Sequence, residues 1–458
     1  MASTFISRTL ASNGQEKGTI SGWFKLGVVD NSRALCSTYS DANNHAMILL
    51  SSNNNLDFFD YQSGYESHMV TNAHLNDSAA WYHVVYTWDQ PNATENQRNR
   101  AWINGVEIYG NSGWATEEYY GSSATPSWNK NYSLNIGARN SDQYWSGQMS
   151  HFYFIQGYCY TATDFGEFDS DGIWKIKTSA SVNYGGTGAN SCFLKMEDAS
   201  NLDLDSGDNT VAFTTTGTLT STKDTPSNNF PTFSPMVRPI EAYSPSWSNG
   251  NTTIAASGGS SWQSLYVPTA LTGGLWYYEY IVSSGTNVRG GFASSDQLAL
   301  GGSTYGPNDY ATNGVSKPAY QMKVDGDMCF SNSSSNNQEA SYGSSYAGSE
   351  TSTYVGVYLD LSASKIYFAL NGVLQNSGTG YSIESTGYSF MPVISVYPAT
   401  TVDANFGNGC FGSTQLTGTT YNDAGGEGIF KYDPSSGTFD GTSKNFRAIC
   451  SKNIKDYD

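Results

Sequence analysis

Hydrolysis of a glycosidic bond needs two carboxylates held on one face, which a strand supplies at alternate positions. The chain has 40 acidic residues, yet none forms such a run. "EEYYGSS" at 117–123 and "MEDASNLDLD" at 196–205 place their acids without that spacing. No enzyme is therefore expected. The five histidines, at 45, 68, 74, 83 and 151, contain no H-x-x-x-H pair. His68 and His74 read as part of a polar loop. His83 and His151 alternate with aromatics in strands, as packing residues do. "DLDSGDN" at 203–209 groups Asp203, Asp205 and Asp208 in one turn. Hard oxygens grouped this way could hold calcium, the one cofactor the sequence suggests. Gly207 comes one position early for an EF-hand loop, and the competing reading is a solvated acidic turn.

Aromatic rings in loops are the other candidate chemistry. A flat ring covers the apolar face of a sugar while neighbouring Asn, Asp or Ser bond its hydroxyls. Trp114, Tyr119, Tyr120 and Trp128 in the first half stand in such surroundings. Tyr305, Tyr310, Tyr342 and Tyr346 do so in the second, within a Gly/Ser-rich stretch at 301–350. Rings make up 14% of the chain, so many of them need only pad loops. Trp23, Trp81, Trp88, Trp276 and Tyr367 fall in strand patterns and read as core or sheet surface.

These residues must be positioned by strands. With 48 Gly and 33 Tyr and few strong helix formers, the 458-residue chain reads as all-β. "AWYHVVYTWD" at 80–89 alternates strictly, and "AMILLSSNNNLDFFDY" gives two strands around an Asn-rich turn. "TATDFGEFDSDGIW" is the one short helix expected, capped by Thr161 or Thr163 with Asp164 in its first turn. Two hairpins resemble each other, "AWINGVEIYG" at 101–110 and "YFALNGVLQN" at 367–376. Asn-Gly accepts positive φ at both central positions, the turn that matches strand twist. The length exceeds one ordinary core. The expected division is a sandwich at 1–200, a Pro/Asn/Asp-rich linker at 201–245, a second sandwich at 246–412, and a tail at 413–458 packing on the second domain or on a partner.

A formal charge of −18 repels phosphate backbones and anionic lipids, so nucleic acid is excluded as a partner. No run of about 18 apolar residues occurs, so no membrane insertion is expected. The first residues lack the basic start and apolar run of a secretion signal. Cysteines at 36, 159, 192, 329, 410 and 450 form no CxxC pair. Free, mostly buried thiols made in a reducing cytosol are expected.

Several stretches resemble known families. "GTISGWFKLG", "WYHVVYTWD", "RAWINGVEIYG", "SLNIGAR" and "YWSGQMSHFYFIQGYCYT" look like a laminin-G or concanavalin A-like lectin sandwich. Ile20, Trp23, Trp81, His83, Val84, Asn104, Gly105, Ile136, Gly137, Gly147 and Phe154 carry that pattern. "WYYEYIV", "YVGVYLDLSASKIYFALNGV" and "PVISVYPATTVDANFG" resemble a SPRY domain over roughly 245–410. The resemblance implies two concanavalin A-like jelly-roll β-sandwiches in tandem. "KDTPSNNFPTFSP" and "FGNGCFG … GIFKYDPSSG … FRAIC" are similar to the linker and tail of marine bacteriophage virion proteins, with "DPSSGTFDGTSKN" inserted here. That likeness implies a virion surface protein, a tail fibre, receptor-binding protein or capsid fibre, assembled in the host cytoplasm. Its implied partners are other virion proteins and a host cell-surface glycan or protein, with a homotrimer among the assemblies allowed. Two alternatives stand beside it: a structural or decoration component of capsid or tail, and a glycan-processing or carbohydrate-binding protein.

Overall fold

The computed structural model describes residues 3–12, 14–27, 32–177, 180–183, 190–207, 211–237, 245–256, 258, 262–300, 317–335 and 338–457. The chain forms two compact units, Met1–Ser221 and Thr222–Asp458. Strands hold 45% of the residues against 7% in helices, so the fold is all-β.

The first unit opens with β1 (Phe5–Thr9), β2 (Lys17–Leu26), β3 (Arg33–Asp41), β4 (Asn44–Leu50), β5 (Asn55–Gln62) and β6 (Tyr65–His74). It continues through β7 (Trp81–Asp89), β8 (Asn99–Ile103), β9 (Val106–Glu107), β10 (Trp114–Glu118), β11 (Ser133–Ile136) and β12 (Gly147–Gln156). The short strands β13 (Gly166–Phe168), β14 (Trp174–Ile176), β15 (Cys192–Leu194) and β16 (Thr214–Thr216) complete it. One sheet has the order β10-β6-β5-β4-β3-β11-β1-β16 and the other β15-β12-β2-β7-β8-β9. Alternation along the strands builds the core between them. Ile48, Phe58, Met69 and Leu134 from the first sheet meet Ile20, Phe24, Val84, Tyr86 and Phe154 from the second.

The outer face of the six-stranded sheet is also covered. Trp23, Trp81, Val85, Trp102 and Tyr153 pack under Ala162, Phe165 and Trp174. The helix expected here is the four-residue Ala162–Phe165, capped reciprocally by Thr161 and Asp164. The chain then turns into the β13–β14 hairpin instead of continuing as helix.

The second unit runs β17 (Ser246–Ser248), β18 (Thr253–Ala255), β19 (Gln263–Tyr266), β20 (Leu275–Ser284), β21 (Val288–Ser294), β22 (Ala319–Lys323), β23 (Asp327–Ser331) and β24 (Gln338–Ser341). It proceeds to β25 (Val355–Asp360), β26 (Lys365–Leu370), β27 (Val373–Leu374), β28 (Tyr381–Ser382), β29 (Phe390–Val396) and β30 (Thr401–Asn405). Its sheets are β17-β18-β30-β20-β25-β26-β27, with β28 on β26, and β19-β29-β21-β22-β23-β24. Tyr278, Tyr280, Phe292, Val357, Phe368 and Ile394 fill the space between them.

The described residues of 201–245 pack on the two units and are not a free linker. β16 joins the edge of β1, and Leu219 packs on the first core. From Lys223, whose N–H donates to Asn408 O at 2.9 Å, the chain belongs to the second unit, where Phe230 and Phe233 are fully buried. The tail 413–458 covers the outer face of the β20-containing sheet. Phe430, Phe439, Phe446 and Ala448 close over Tyr277, Tyr358 and Tyr367. The inserted stretch helps hold it there. Lys444 pairs with buried Asp360, and Tyr367 Oη donates to Asp440 at 2.7 Å. The "DTPSNNF" motif grips the same tail: Asn228 Nδ2 donates to Glu427 at 2.9 Å, and Asn229 O accepts from Ser451 N at 2.9 Å. Cys36, Cys192, Cys329, Cys410 and Cys450 are buried and Cys159 is exposed, all six as free thiols.

Candidate functional site: the outer face of the eight-stranded sheet

β4 and β5 pair with Met47 opposite Phe59 and His45 opposite Tyr61. Since neighbouring residues point to opposite faces, burying Ile48 and Phe58 forces His45, Met47, Asp57, Phe59 and Tyr61 outward. β6 adds Tyr65 and His68, and β10 sets Glu118 directly across from His68. The outcome is a continuous aromatic face. Tyr65 stacks on His68 with centroids 4.1 Å apart and planes 10° from parallel. Its edges meet Tyr61 at 5.3 Å and Phe59 at 5.8 Å. His45 contacts Tyr39, Phe59 and Tyr61 at 5.6–5.8 Å. Tyr65 is 52% exposed, so its ring is offered to solvent on a base of buried Phe59 and half-buried Tyr61 and His68.

The electrostatics of this face come from few groups. Asp57 Oδ1 lies 3.2 Å from His68 Nε2. That contact holds the imidazole above its ordinary value against partial burial, with Glu118 adding to it. Burial first, then the charge of Arg139, pushes His45 below its ordinary value. His45 Nδ1 is buried without a hydrogen-bond partner, in a residue only 7% exposed. The sequence placed His68 in a polar loop. It is in β6, and the signal that could have revealed it was "FFDYQSGYESHMV" read as one hairpin with its rings on the outer face.

The ring platforms expected in loops are elsewhere. Trp114, Tyr120 and Trp128 belong to the first core. Trp114 lies in β10, paired with β6, and for Tyr120 and Trp128 the anchor is Asp60, which faces inward and is fully buried. It accepts from Tyr120 Oη at 2.7 Å, Ser127 N at 2.6 Å and Ser127 Oγ at 2.6 Å, which draws the 119–130 segment inside. Tyr119 is half-buried and bonded to Glu117. Tyr342 and Tyr346 lie in the second core. Tyr342 Oη donates to Thr379 O at 3.0 Å, and Tyr346 Oη pairs with Tyr280 Oη at 3.3 Å. Their Gly and Ser neighbours have no bulk to fill that space, and burying one ring is worth roughly 2 kcal/mol. Tyr305 and Tyr310 lie outside the described residues.

The acidic turn is bound up internally. Asp205 accepts from the N–H groups of Phe193, Gly207 and Val211, each at 2.9 Å. Asp203 accepts from Thr215 Oγ1 at 2.5 Å, and Asp208 lies outside the described residues. Among the described residues no cluster of three His, Cys, Asp or Glu is arranged to hold a metal ion.

The buried Ser21–His83 pair invites a catalytic reading, and its geometry argues against that. Ser21 Oγ and His83 Nε2 are 2.9 Å apart. Trp174 Nε1, which can only donate, lies 3.1 Å from His83 Nδ1. Nδ1 is thus the acceptor, and Nε2 carries the proton and donates to Ser21. Burial lowers His83 to about 3, so the ring is a neutral packing residue unable to take the hydroxyl proton.

Family models match two stretches. Residues 4–162 match a laminin-G-type model of the concanavalin A-like lectin/glucanases superfamily, and residues 275–409 match the SPRY domain. No curated protein matches the chain. Among solved structures, the SPRY domain of human HERC1 is similar at 12% identity and TM-score 0.27, over 40% of this chain and 99% of that one. The PSpry domain of TRIM65 is similar at 14% and 0.27, over 38% and 89%. Stonustoxin is similar at 16% and 0.27, over 38% and 27%. The chain therefore carries a concanavalin A-like β-sandwich of laminin-G type followed by a SPRY domain.

Proposed function

We propose that this chain is a non-enzymatic surface protein of a bacteriophage particle, of tail-fibre or capsid-fibre type, that attaches to a host glycan through the outer face of its eight-stranded sheet. The observation that carries the reading is the exposed Tyr65 ring standing on His68 between Phe59 and Tyr61, with Asp57 and Glu118 beside it. Both domain types fit a binding role. The virion assignment rests on the resemblance of the "DTPSNNF" motif and tail, and it is supported by their packing together on the second unit. Many copies on a particle would multiply a modest affinity per site.

The test is attachment of the purified chain to host cells. Tyr65→Ala should weaken it by about tenfold or more, as expected when about 1.4 kcal/mol of ring contact is lost, without changing the thermal midpoint. No reducing ends should be released from envelope polysaccharide. Unchanged attachment by the variant would refute the site.

A second reading, a capsid or tail component that binds other virion proteins, is favoured by a different surface. Val106, Phe168 and Ile173 are 62%, 51% and 53% exposed on two hairpin tips that meet over Trp174.

A further inference from the structure

The face around Tyr65 is lined by acceptors. Asp57 and Glu118 are carboxylates. Burial, and after it the charge of Arg139, pushes the His45 imidazole below its ordinary value. Its buried Nδ1 has no hydrogen-bond partner. The exposed Tyr65 ring presents a negative π face. Arg139, whose charge reaches His45, is itself gripped by both oxygens of Asp142. A site built of acceptors and π faces lacks a partner for an acidic sugar and suits a donor-rich cation.

We infer that this face takes a saccharide bearing a positively charged amino group, and that His68 competes with that group for Asp57. The inference rests on the glycan-binding reading above and names its ligand class. His68 already occupies the position such a cation would use, 3.2 Å from Asp57 and stacked under Tyr65. The charged or titratable groups facing it are Asp57 on β5, Glu118 on β10 and Tyr65 on its own strand. While His68 is protonated it neutralises Asp57, and an incoming ammonium finds the site satisfied. When His68 loses its proton, Asp57 and Glu118 are left for the ligand. Affinity for a fixed cation must then rise with pH.

The test uses isothermal titration calorimetry on the full chain with three oligosaccharides of equal length. One is an N,N,N-trimethylated chitooligosaccharide, whose charge does not vary with pH. The others are its neutral N-acetylated counterpart and an oligouronate. At pH 8 the trimethylated form should bind about tenfold or more tighter than the neutral form, with the oligouronate weakest. Its affinity should fall at least about threefold between pH 8 and pH 5.5. His68→Gln should abolish that fall, and Asp57→Asn should abolish the preference for the cation, with near-UV circular dichroism confirming that both variants are folded. Neutral or acidic oligomers binding as tightly as the cation, through a Tyr65-dependent site, would overturn the inference and leave the glycan reading standing. A pH dependence that survives in His68→Gln would overturn the competitor role. No binding by any of the three, together with unchanged cell attachment by Tyr65→Ala, would overturn both.

Discussion

Glu279 sits on β20, facing outward into the layer made by the tail, and is fully buried. It accepts from Lys431 N at 2.9 Å, Tyr432 N at 2.8 Å and Tyr277 Oη at 2.9 Å. Those bonds favour the carboxylate, but burial outweighs them and raises the group from 4.5 to about 7. The folded state thus holds this proton more tightly than the unfolded chain. Glu279 contributes its full stability below about pH 4.5 and loses it as pH rises to about 7. Thermal unfolding of the full chain should show that decline, and Glu279→Gln should flatten it. Glu279→Ala should lower stability at all pH values, on the order of 3 kcal/mol, because two buried N–H groups lose their acceptor. A Gln variant that retains the wild-type pH slope would assign the slope to other groups. Nothing in "WYYEYIV" reveals this role. Alternation puts Glu279 on the face opposite Tyr278 and Tyr280, which reads as solvent until the distant tail is seen to cover it.

At the level of elements, the two Asn-Gly-Val hairpins prove to be one device used in both units. The strand order β12-β2-β7-β8-β9 repeats as β30-β20-β25-β26-β27. Asn104 and Gly105 have φ of 48° and 82°, and Asn371 and Gly372 have 48° and 79°. Asn104 Oδ1 accepts from His83 N at 2.8 Å, and Asn371 Oδ1 accepts from Tyr354 N at 2.9 Å. Each glycine lies against a ring of the covering layer. A Cβ on Gly105 would come 2.3 Å from Trp174, and one on Gly372 would come 2.6 Å from Tyr432. Gly105→Ala and Gly372→Ala should therefore each destabilise by roughly 2–4 kcal/mol, positive φ and the ring clash adding together. Val106→Ser and Val373→Ser, at positions 62% and 66% exposed, should stay within about 0.5 kcal/mol. Denaturant unfolding checks both, and tolerated alanines would show that the covering layer yields easily. The turn was legible because Asn-Gly is a local conformational preference. The ring beneath it was not, since Trp174 and Tyr432 are brought there by chain 69 and 60 residues further on.

For the whole molecule, the division after Ser221 means that residues 222–237 fold as part of the second sandwich. A fragment 222–458 should unfold cooperatively. A fragment 246–458, lacking buried Phe230 and Phe233 and the Asn228–Asn229 grip on the tail, should be less stable by several kcal/mol or fail to fold. Equal denaturation midpoints for the two would restore the linker reading of 201–245. Composition suggested that linker because Pro, Asn and Ser mark irregular backbone, and irregular backbone can be packed as firmly as a strand. By itself, the sequence determined the all-β class, the strands and the turns, because alternation, β-branching and Asn-Gly act over a few neighbouring residues, while the two sandwich families were read from the resemblance of whole stretches. Tertiary structure alone decided which face of each sheet is covered. It buried Tyr120, Trp128, Tyr342 and Tyr346 where loops were expected, and it left Tyr65 exposed on a strand, stacked on a half-buried His68. Alternation gives a strand two faces but does not say which one meets water. That depends on segments far away in the chain that either fold over a face or leave it bare.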